Sequence, residues 1–455
     1  MDQPSELRIV AVNGMLGYGF EAASLRAGMA ERPHLVGGDS GSSDPGPFYL
    51  GSGASLVKPE QLRRDLGLAL AGARDAGAPL VIGSAAMGGA APHLALLKEI
   101  LHGLAREQGL HFRLATIHAE IPREAVRDAL RAGRIAPMAD APELEEAAVI
   151  ESARIVGQMG TEPFAAALAR GAEVVLAGRS CDTAIYAALP IAEGFDPGLA
   201  LHMAKIMECG AQCAMPLAAN DSLLGVIRRD HFLVRPLHPE RVCTPDSVAA
   251  HSLYEQGNPT LLYEPEGVVD LREAEFEQLD RQTVRVSGSR FIRAARLRIK
   301  LEGARRVGFR AFALAGVRDA AVIANLSVIE AQVRAAVRRN LPGAVRDDQF
   351  ALGFRHYGRD AVLGPLEWDR TPPREVGTLI EVVAETQALA DAVLSLARSS
   401  FLHCPFPGRK TTAGNLAFPF SPSDASAGEV YEFSVYHLME VEDQLALFPI
   451  EMERI

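Results

Sequence analysis

The first part of the chain alternates short apolar runs with segments in which apolar residues recur every three or four positions. The runs, closed by Asn or Gly, predict buried parallel strands at 7–12, 80–82, 112–117 and 173–176. The helical spacing between them predicts helices at 59–77, 94–109, 122–132 and 161–170. Alternation of this kind, with short glycine loops, predicts a parallel α/β sheet with right-handed crossovers.

The pattern changes near residue 218. Strand-like stretches at 261–263, 283–286 and 296–301 predict an α+β module, which a helix at 328–338 follows. The last part predicts a strand at 379–383, a helix at 386–401 and a strand at 431–438, after a Pro/Gly-rich loop. We therefore predict an α/β fold in three domains: a Rossmann-like parallel-sheet domain at 1–218, an α+β domain at 219–370, and a small ferredoxin-like βαβ unit at 371–455.

Composition narrows the class of protein. A chain that is 48% apolar and 23% charged is typical of a soluble globular protein. The net charge of −11 argues against nucleic-acid binding, which normally needs a basic surface. No apolar run approaches the roughly 18 residues of a membrane span, and the N-terminus lacks the pattern of a signal peptide. Five cysteines, an odd number, suit reduced thiols, so we predict a cytoplasmic protein.

Ligands of open α/β sheets bind beyond the carboxyl ends of the strands, where the sequence places four loops. In the first loop, at 13–19, Asn13 and Gly14 open a G-x-x-G-x-G stretch. Its backbone N–H groups could hold an anion, and a tight turn without a ligand explains the loop equally well.

The second loop, at 37–47, is rich in small residues. Its two carboxylates, Asp39 and Asp44, could act as acid and base or hold a divalent metal, and Ser42 and Ser43 lie between them. The alternative is an ordinary polar loop of Asx turns.

The third loop, at 83–93, joins a strand to a helix, and backbone N–H groups at such a helix start stabilise anions. Its candidate binding residues are Gly83, Ser84, Gly88, Gly89 and His93. His93 fits a capping role equally well.

The fourth loop, at 178–182, places Arg179 beside Asp182, and Glu208 in the later Glu-Cys-Gly-Ala-Gln stretch is a further candidate catalytic residue. Arg179 could clamp a substrate carboxylate while Asp182 handles a proton, and a purely structural Arg–Asp pair is the alternative. Cys181 would be a nucleophile only beside a base.

A tail loop at 407–415 concentrates cations and hydroxyls between two glycines. Its candidates for phosphate or carboxylate binding are Arg409, Lys410, Thr411 and Asn415. The chain has only five lysines among its 46 basic residues, so Lys410 directly after Arg409 suggests that an ammonium group is needed there. We expect three of the other four lysines to lie on the surface. Arg290 is a further local cation that could bind an anion.

Several segments resemble the acyclic terpene utilisation (AtuA-type) family. They are GGDSGSSDPGPFYLGSG (37–53), PLVIGSAAMGGAAPH (79–93), VVLAGRSCDTA (174–184), ECGAQ (208–212), LDRQTVRVSGSRF (279–291), IKLEGARRVGFRA (299–311), GRKTTAGNLAFPFSPSD (408–424) and VYEFSVYHLM (430–439). The resemblance implies a part in the catabolism of branched acyclic terpenoid acids, where a lyase step on a hydroxylated acyl-CoA has been proposed. It also implies that a small companion protein could take part.

These observations favour a lyase, which cleaves a C–C bond or adds or removes water, acting on a branched carboxylic acid or its acyl-CoA. Asp44 and Asp182 would transfer protons, while Arg179 and the loop of Arg409 and Lys410 would hold the carboxylate or phosphate. The alternative is a non-catalytic ligand-binding or scaffold subunit that works with a companion. Hydrolysis through Ser84 or Cys181 is less favoured, because no G-x-S-x-G motif is present.

For cofactors and partners, we predict no cofactor and leave a divalent metal at the second loop open. The closest cysteines, Cys209 and Cys213, lack a second pair at metal spacing, which favours buried thiols over a zinc or iron–sulfur site. We expect a homo-oligomer that binds a small carboxylate or acyl-CoA, with no nucleic-acid or membrane partner.

Overall fold

The structure is a computed structural model that describes residues 4–217, 220–254, 257–343, 345–369 and 371–455. Its strands are β1 (Glu6–Ala11), β2 (Leu35–Asp39), β3 (Leu80–Gly83), β4 (Arg113–Ile117), β5 (Ile135–Pro137), β6 (Arg154–Gln158), β7 (Val174–Ala177), β8 (Ala214–Met215), β9 (Leu223–Arg228), β10 (His231–Pro236), β11 (Val242–Cys243), β12 (Leu261–Glu264), β13 (Gly267–Asp270), β14 (Glu275–Gln278), β15 (Val284–Ser287), β16 (Arg290–Arg293), β17 (Leu297–Val317), β18 (Phe350–Tyr357), β19 (Val376–Ala384), β20 (Asp424–Val441) and β21 (Ile450–Arg454).

The helices lie mostly between these strands. They are α1 (Ala22–Ala30), α2 (Pro47–Ser52), α3 (Pro59–Ala76), α4 (Ala91–Gln108), α5 (Arg123–Arg131), α6 (Glu146–Glu151), α7 (Thr161–Ala169), α8 (Asp182–Ala192), α9 (Pro197–Met207), α10 (Pro245–Leu253), α11 (Ala320–Ala324), α12 (Leu326–Asn340), α13 (Gln387–His403) and α14 (Gln444–Leu447). No helix in the described ranges is both long and apolar enough to cross a membrane.

Contacts divide the chain into two compact units. The first is Met1–Arg305 together with Phe433–Ile455, and the second is Arg306–Glu432. Of the domain boundaries predicted at 218/219 and 370/371, residues 218, 219 and 370 lie outside the described part, and the three-domain division stays a prediction. Strands β17 and β20 contribute residues to both units.

The first unit contains a large mixed sheet in the order β14-β15-β10-β9-β1-β2-β3-β7-β4-β21. Strands β1, β2, β3, β7 and β4 run parallel to one another, as the sequence predicted, whereas β9, β10, β14, β15 and β21 add antiparallel partners. The parallel sheet is therefore confirmed, and its Rossmann-like arrangement stays a prediction. The carboxyl ends of β1, β2, β3 and β7 are neighbours at one edge.

Each face of the parallel strands packs against its own apolar core. On one face, Leu62 and Leu66 of α3 pack with Leu97 and Leu101 of α4. On the other face, residues of α7, α8 and α9 pack together, and Tyr186 of α8 is fully buried there. Strands that are covered on both faces have no side in contact with water, so nearly all of their residues are apolar. Strand β3 (Leu80–Gly83) is an example, because all four of its residues are buried.

The second unit is built from antiparallel strands and the three helices α11, α12 and α13. Residues 309–317 of β17 pair with β19, and β19 pairs with β18. Helices α12 and α13 close its core, in which Ile329, Ile380, Val393 and Phe401 are buried. Its elements follow the order β17, α11, α12, β18, β19, α13, β20. The ferredoxin-like unit predicted at 371–455 stays a prediction, since this compact unit begins at Arg306.

Candidate active site

The loops after β2, β3 and β7 bring their side chains together at the carboxyl edge of the sheet. Asp39 ends β2, Ser84 follows β3, and Arg179 follows β7. Glu302 reaches the same place from β17, and Asp182 opens α8 beside it. We call Asp39, Ser84, Arg179, Asp182 and Glu302 the strand-end site.

Arg179 is the fixed charge at the centre of the strand-end site. Its side chain is almost fully buried, and its Nε donates to Glu302 Oε2 over 3.0 Å. Its Nη1 donates to Ser84 Oγ over 3.0 Å and lies 3.8 Å from Asp182 Oδ1. These contacts hold the guanidinium in one orientation. They are compatible with the structural Arg–Asp pair that the sequence analysis gave as the alternative. A direct clamp on substrate stays a prediction.

Glu302 joins two cations inside the protein. Besides Arg179, it accepts from Ser43 Oγ over 2.8 Å and pairs with Lys300 Nζ at 2.7 Å. Burial alone would raise the pKa of Glu302, but the charges of Arg179 and Lys300 and their hydrogen bonds lower it to about 2. Glu302 is therefore ionised at neutral pH.

Asp39 and Asp182 are two carboxyls that share the field of Arg179. Burial, and then the charge of Asp182, raise the pKa of Asp39 well above its ordinary value, against the opposing charge of Arg179. Burial also raises the pKa of Asp182, while Arg179 opposes the rise. Asp39 is buried, whereas the Asp182 side chain is one-third exposed and begins a helix, where the backbone favours its charged form. Asp39 is thus the member of the pair that holds its proton more tightly.

Several buried polar atoms near these carboxyls have no hydrogen-bond partner in the described part of the chain. They are Asn13 Oδ1, Asp39 Oδ1, Ser180 Oγ, Asp182 Oδ1 and Tyr186 Oη. The pKa of Tyr186 is raised by burial and then by the charges of Asp39, Glu208 and Asp182. Buried polar groups are nearly always paired, and unpaired atoms gathered from β1, β2, β7 and α8 therefore mark a place for a polar ligand.

Glu208 belongs to a second buried cluster at the end of α9. It forms an ion pair with Lys205, and Lys205 Nζ lies 5.0 Å from the centre of the Tyr254 ring. Cys209 Sγ lies 3.0 Å from Tyr254 Oη. Burial and then the charge of Glu208 raise the pKa of Cys209 to about 12, so that the thiol is protonated. A catalytic role for Glu208 stays a prediction.

The third loop shows backbone strain at three residues that are not glycine, and its binding of an anion stays a prediction. Ser84, Ala86 and Met87 have positive φ angles of 44°, 43° and 105° although none is glycine. Gly83 and Gly88 pack closely against Ile185 and Leu50. The strain turns Ser84 Oγ inward, where it accepts from Arg179 and from Ser180 N.

His93 caps its own helix. Its Nδ1 accepts from Ala90 N over 3.1 Å, which leaves Nε2 to donate to Ala54 O over 3.1 Å. Burial lowers the pKa of His93, so the ring is neutral in this position. The capping interpretation fits these contacts.

Ser84 and Cys181 lack the features of nucleophiles. Ser84 is buried beside a cation, and burial raises the pKa of Cys181 well above its ordinary value.

The remaining candidates of the first unit have other surroundings. Asp44 is exposed and its N–H donates to Ser42 Oγ over 3.1 Å. A Cβ on Gly14 would lie 2.9 Å from the Cys209 carbonyl oxygen. Arg290 is exposed on β16, opposite Asp270 of β13. Their roles in binding or catalysis stay predictions.

The tail loop belongs to the second unit, where two of its polar side chains support the end of α13. Arg409 donates to the carbonyl oxygens of His403, Cys404 and Ala413, and Asn415 donates to those of Phe401 and Cys404. Lys410 and Thr411 are exposed, and Thr411 Oγ1 accepts from Ala413 N. The loop is thus stabilised by hydrogen bonds to its own backbone and to the end of α13. Its binding of an anion stays a prediction.

The sequence interpretation missed Glu302, Lys300 and Lys205. It placed three of the four lysines other than Lys410 on the surface, and this was wrong: Lys205 is buried and the Lys300 side chain is only 16% exposed. The signal was present, because lysine is scarce in this chain and both residues stand three or two positions before a glutamate. The scarcity of lysine that drew attention to Lys410 applied equally to Lys205 and Lys300.

Gly89 supplies a testable link between the third loop and Arg179. Its φ is 62°, and a Cβ would lie 2.1 Å from Arg179 N. Gly109 has the same φ of 62° but nothing within 4 Å of the corresponding position. We expect Gly89→Ala to lower the free energy of unfolding by clearly more than the roughly 1 kcal/mol that strain at Gly109→Ala costs. Urea unfolding of both variants measures the difference, and equal losses would show that the backbone yields at Gly89.

Among the described residues, no group of three or more His, Cys, Asp and Glu side chains is arranged to hold a metal ion. Comparison with proteins of curated function and with solved structures gave no match. The sequence profile described as "Acyclic terpene utilisation family protein AtuA" matches residues 60–221 and 231–418. These segments contain Arg179, Asp182 and Glu302, and they cover more than half of the chain. The chain therefore belongs to the acyclic terpene utilisation family.

Proposed function

We propose that this protein is a catabolic enzyme that transfers protons on a branched carboxylic acid or its acyl-CoA, as a lyase that cleaves a C–C bond or adds or removes water. The observation that carries the proposal is the pair Asp39 and Asp182. Two carboxyls with unpaired oxygens flank one fixed guanidinium, and their surroundings differ in burial. Membership of the acyclic terpene utilisation family supports the catabolic role.

The reaction class needs one base and one acid in the same site. In C–C cleavage, a base takes the proton of a β-hydroxyl, the bond between the α and β carbons breaks, and an acid returns a proton to the α carbon. In dehydration, a base takes the α proton and an acid protonates the departing hydroxyl. Asp182 as the carboxylate and Asp39 as the neutral acid supply one of each, because environments that separate two pKa values separate the two roles.

The fixed cations would stabilise the negative charge that develops on the substrate. Both reactions pass through an enolate-like state, and oriented charge in a water-poor site stabilises such a state without reorganisation. Arg179 is held by Glu302 and Ser84, so its charge needs no movement during the reaction. Asp44, which the sequence favoured as a proton-transfer group, is exposed, and Asp39 takes that role in the proposal.

Exchange of the α proton tests the proposal without knowledge of the product. The purified chain is incubated in D2O with a panel of branched carboxylic acids and their CoA thioesters, and deuterium at the α carbon is measured by mass spectrometry. We expect protein-dependent exchange on at least one member. Binding without exchange on any member would contradict the enzyme and favour the alternative of a binding or scaffold subunit.

Other parts of the sequence prediction enter the proposal unchanged. We propose a cytoplasmic homo-oligomer that needs no cofactor. Exchange by the lone chain would argue against dependence on a companion protein, and exchange that begins only when a companion is added would argue for it. Loss of exchange after treatment with a chelator would reveal a divalent metal.

A further inference from the structure

A large cavity opens in the first unit, beside the strand-end site but distinct from it. Its volume is about 930 Å³, within the range typical of small-molecule pockets. Cys181, which immediately precedes Asp182, lies on its wall, and so does Lys300, which pairs with Glu302. The cavity therefore adjoins the strand-end site at two of its members, Asp182 and Glu302.

One face of β17 forms a graded row of charges along this cavity. Side chains at alternate positions of a strand point to the same face, which places Arg298, Lys300 and Glu302 in line. Their exposed fractions fall from 57% to 16% to 1%. The row therefore runs from solvent into the buried cluster, and Lys300 is the cation at its inner, cavity-lining end.

The charged side chains that line the cavity are mostly cations. Arg296 and Arg298 both pair with Glu440, at 2.6 and 2.9 Å, and Lys300 is the third cation. Two carboxyls also line the cavity: Glu440, which these two arginines hold ionised, and Glu264, which accepts from Thr183 Oγ1 over 2.9 Å. Burial and then the charge of Glu266 raise the pKa of Glu264 to about 8, so that it is largely neutral at pH 7. The wall thus carries net positive charge within an acidic protein.

Apart from Gln158, the rest of the wall is mostly apolar. Val268, Leu438, Met138 and Pro265 line it, and the ring of Tyr263 is exposed beside them. A positive inner end combined with an apolar wall suits a ligand that has one anionic group and a hydrocarbon chain. Transfer of the chain from water to the apolar wall is favourable, and the anionic group forms a charge-assisted hydrogen bond.

We propose that this cavity binds an amphipathic carboxylate, with the carboxylate at Lys300 and the hydrocarbon chain against Val268 and Leu438. The proposal rests on the proposed function in that it names the chain-binding pocket of the same substrate. Lys300 is then the residue that selects an acid over a neutral analogue. Lys300 contacts Glu302 and Tyr436, and an ammonium group that donates three hydrogen bonds keeps one for the ligand.

Titration calorimetry with octanoate, octanamide and acetate tests this assignment. We expect octanoate to bind at least about tenfold more tightly than octanamide, which has the same chain without the charge. Acetate should bind far more weakly, because it has no chain. Equal binding of octanoate and octanamide would overturn the role of the cation, and equal binding of octanoate and acetate would overturn the apolar wall.

Two lysine variants locate the site. Lys300→Met should weaken octanoate binding by about tenfold and leave octanamide unchanged. Lys98→Met is the matched control, since Lys98 is also paired with a glutamate but lies outside the cavity. Lys300→Arg should restore part of the affinity. If Lys300→Met does not fold, Arg298→Met at the exposed mouth provides a second test and should weaken octanoate but not octanamide.

Similar affinities of wild type and Lys300→Met for octanoate would overturn the proposal, as would equal losses in Lys300→Met and Lys98→Met. The readout is binding, so its outcome is separate from proton exchange. Octanoate binding at Lys300 without α-proton exchange on any substrate would contradict the proposed function and leave the cavity assignment standing. Exchange without octanoate binding would do the reverse.

Discussion

Replacing Asp182, the base that takes the α proton in the proposed dehydration, with Asn should slow α-proton exchange by about 10²–10⁴-fold, the range over which a positioned acid or base contributes to catalysis. The amide keeps the size of the side chain but cannot take a proton. Asp182 begins α8, has an unpaired Oδ1 and is the more accessible of the two carboxyls, so it is the group that substrate reaches. Mass-spectrometric exchange rates on the best substrate of the panel measure the loss.

Two controls separate chemistry from folding in this experiment. Asp75→Asn changes an exposed carboxylate on α3 and should leave exchange unchanged. Asp182→Asn should retain octanoate binding, because Lys300 and the apolar wall are intact. Loss of the Asp182 charge should also bring the pKa of Asp39 down toward its ordinary value, since that charge helps to raise it. Full exchange activity in Asp182→Asn would remove this residue from the mechanism.

Four of the five parallel strands and the loops at the carboxyl edge of the sheet were accessible from the sequence. Apolar runs located β1, β3, β4 and β7 but not β2, and the rule for open α/β sheets then pointed to loops that hold Asp39, Ser84 and Arg179. This worked because strand burial on both faces produces a local, readable pattern. Helices α8 and α9 were missed, because both are largely buried and their apolar residues show no clear helical stripe.

The partner of Arg179 could not be found in the same way. Glu302 lies 123 positions away, on a long strand whose pairing is set by the tertiary fold. Local spacing predicts an Arg179–Asp182 pair, and that pair exists, but the shorter contact is to Glu302. The sequence also could not rank Asp39 above Asp44, since burial separates these two carboxyls and the loop composition does not.

Replacing Glu302 with Ala should lower the free energy of unfolding by about 3–5 kcal/mol, because it leaves two cations inside the protein without their shared partner. Arg179 keeps only Ser84, the Ser180 carbonyl oxygen and the more distant Asp182, and Lys300 loses its 2.7 Å ion pair. Exchange activity should fall as well, since Arg179 is then free to turn. Chemical unfolding followed by circular dichroism measures the stability loss. Glu107→Gln, which breaks an exposed pair with Arg63, should change it little.

The pH dependence of this loss distinguishes an ionised Glu302 from one that merely fills space. Its pKa is about 2 in the folded chain against 4.5 for the ordinary group. A lowered pKa contributes stability that is fully present above pH 4.5 and is lost as the pH falls toward 2, by about 3 kcal/mol in total. The difference between wild type and Glu302→Ala should therefore shrink steadily below pH 4.5. A difference that stays constant across that window would mean that packing, and not the charge shared by Arg179 and Lys300, accounts for the effect.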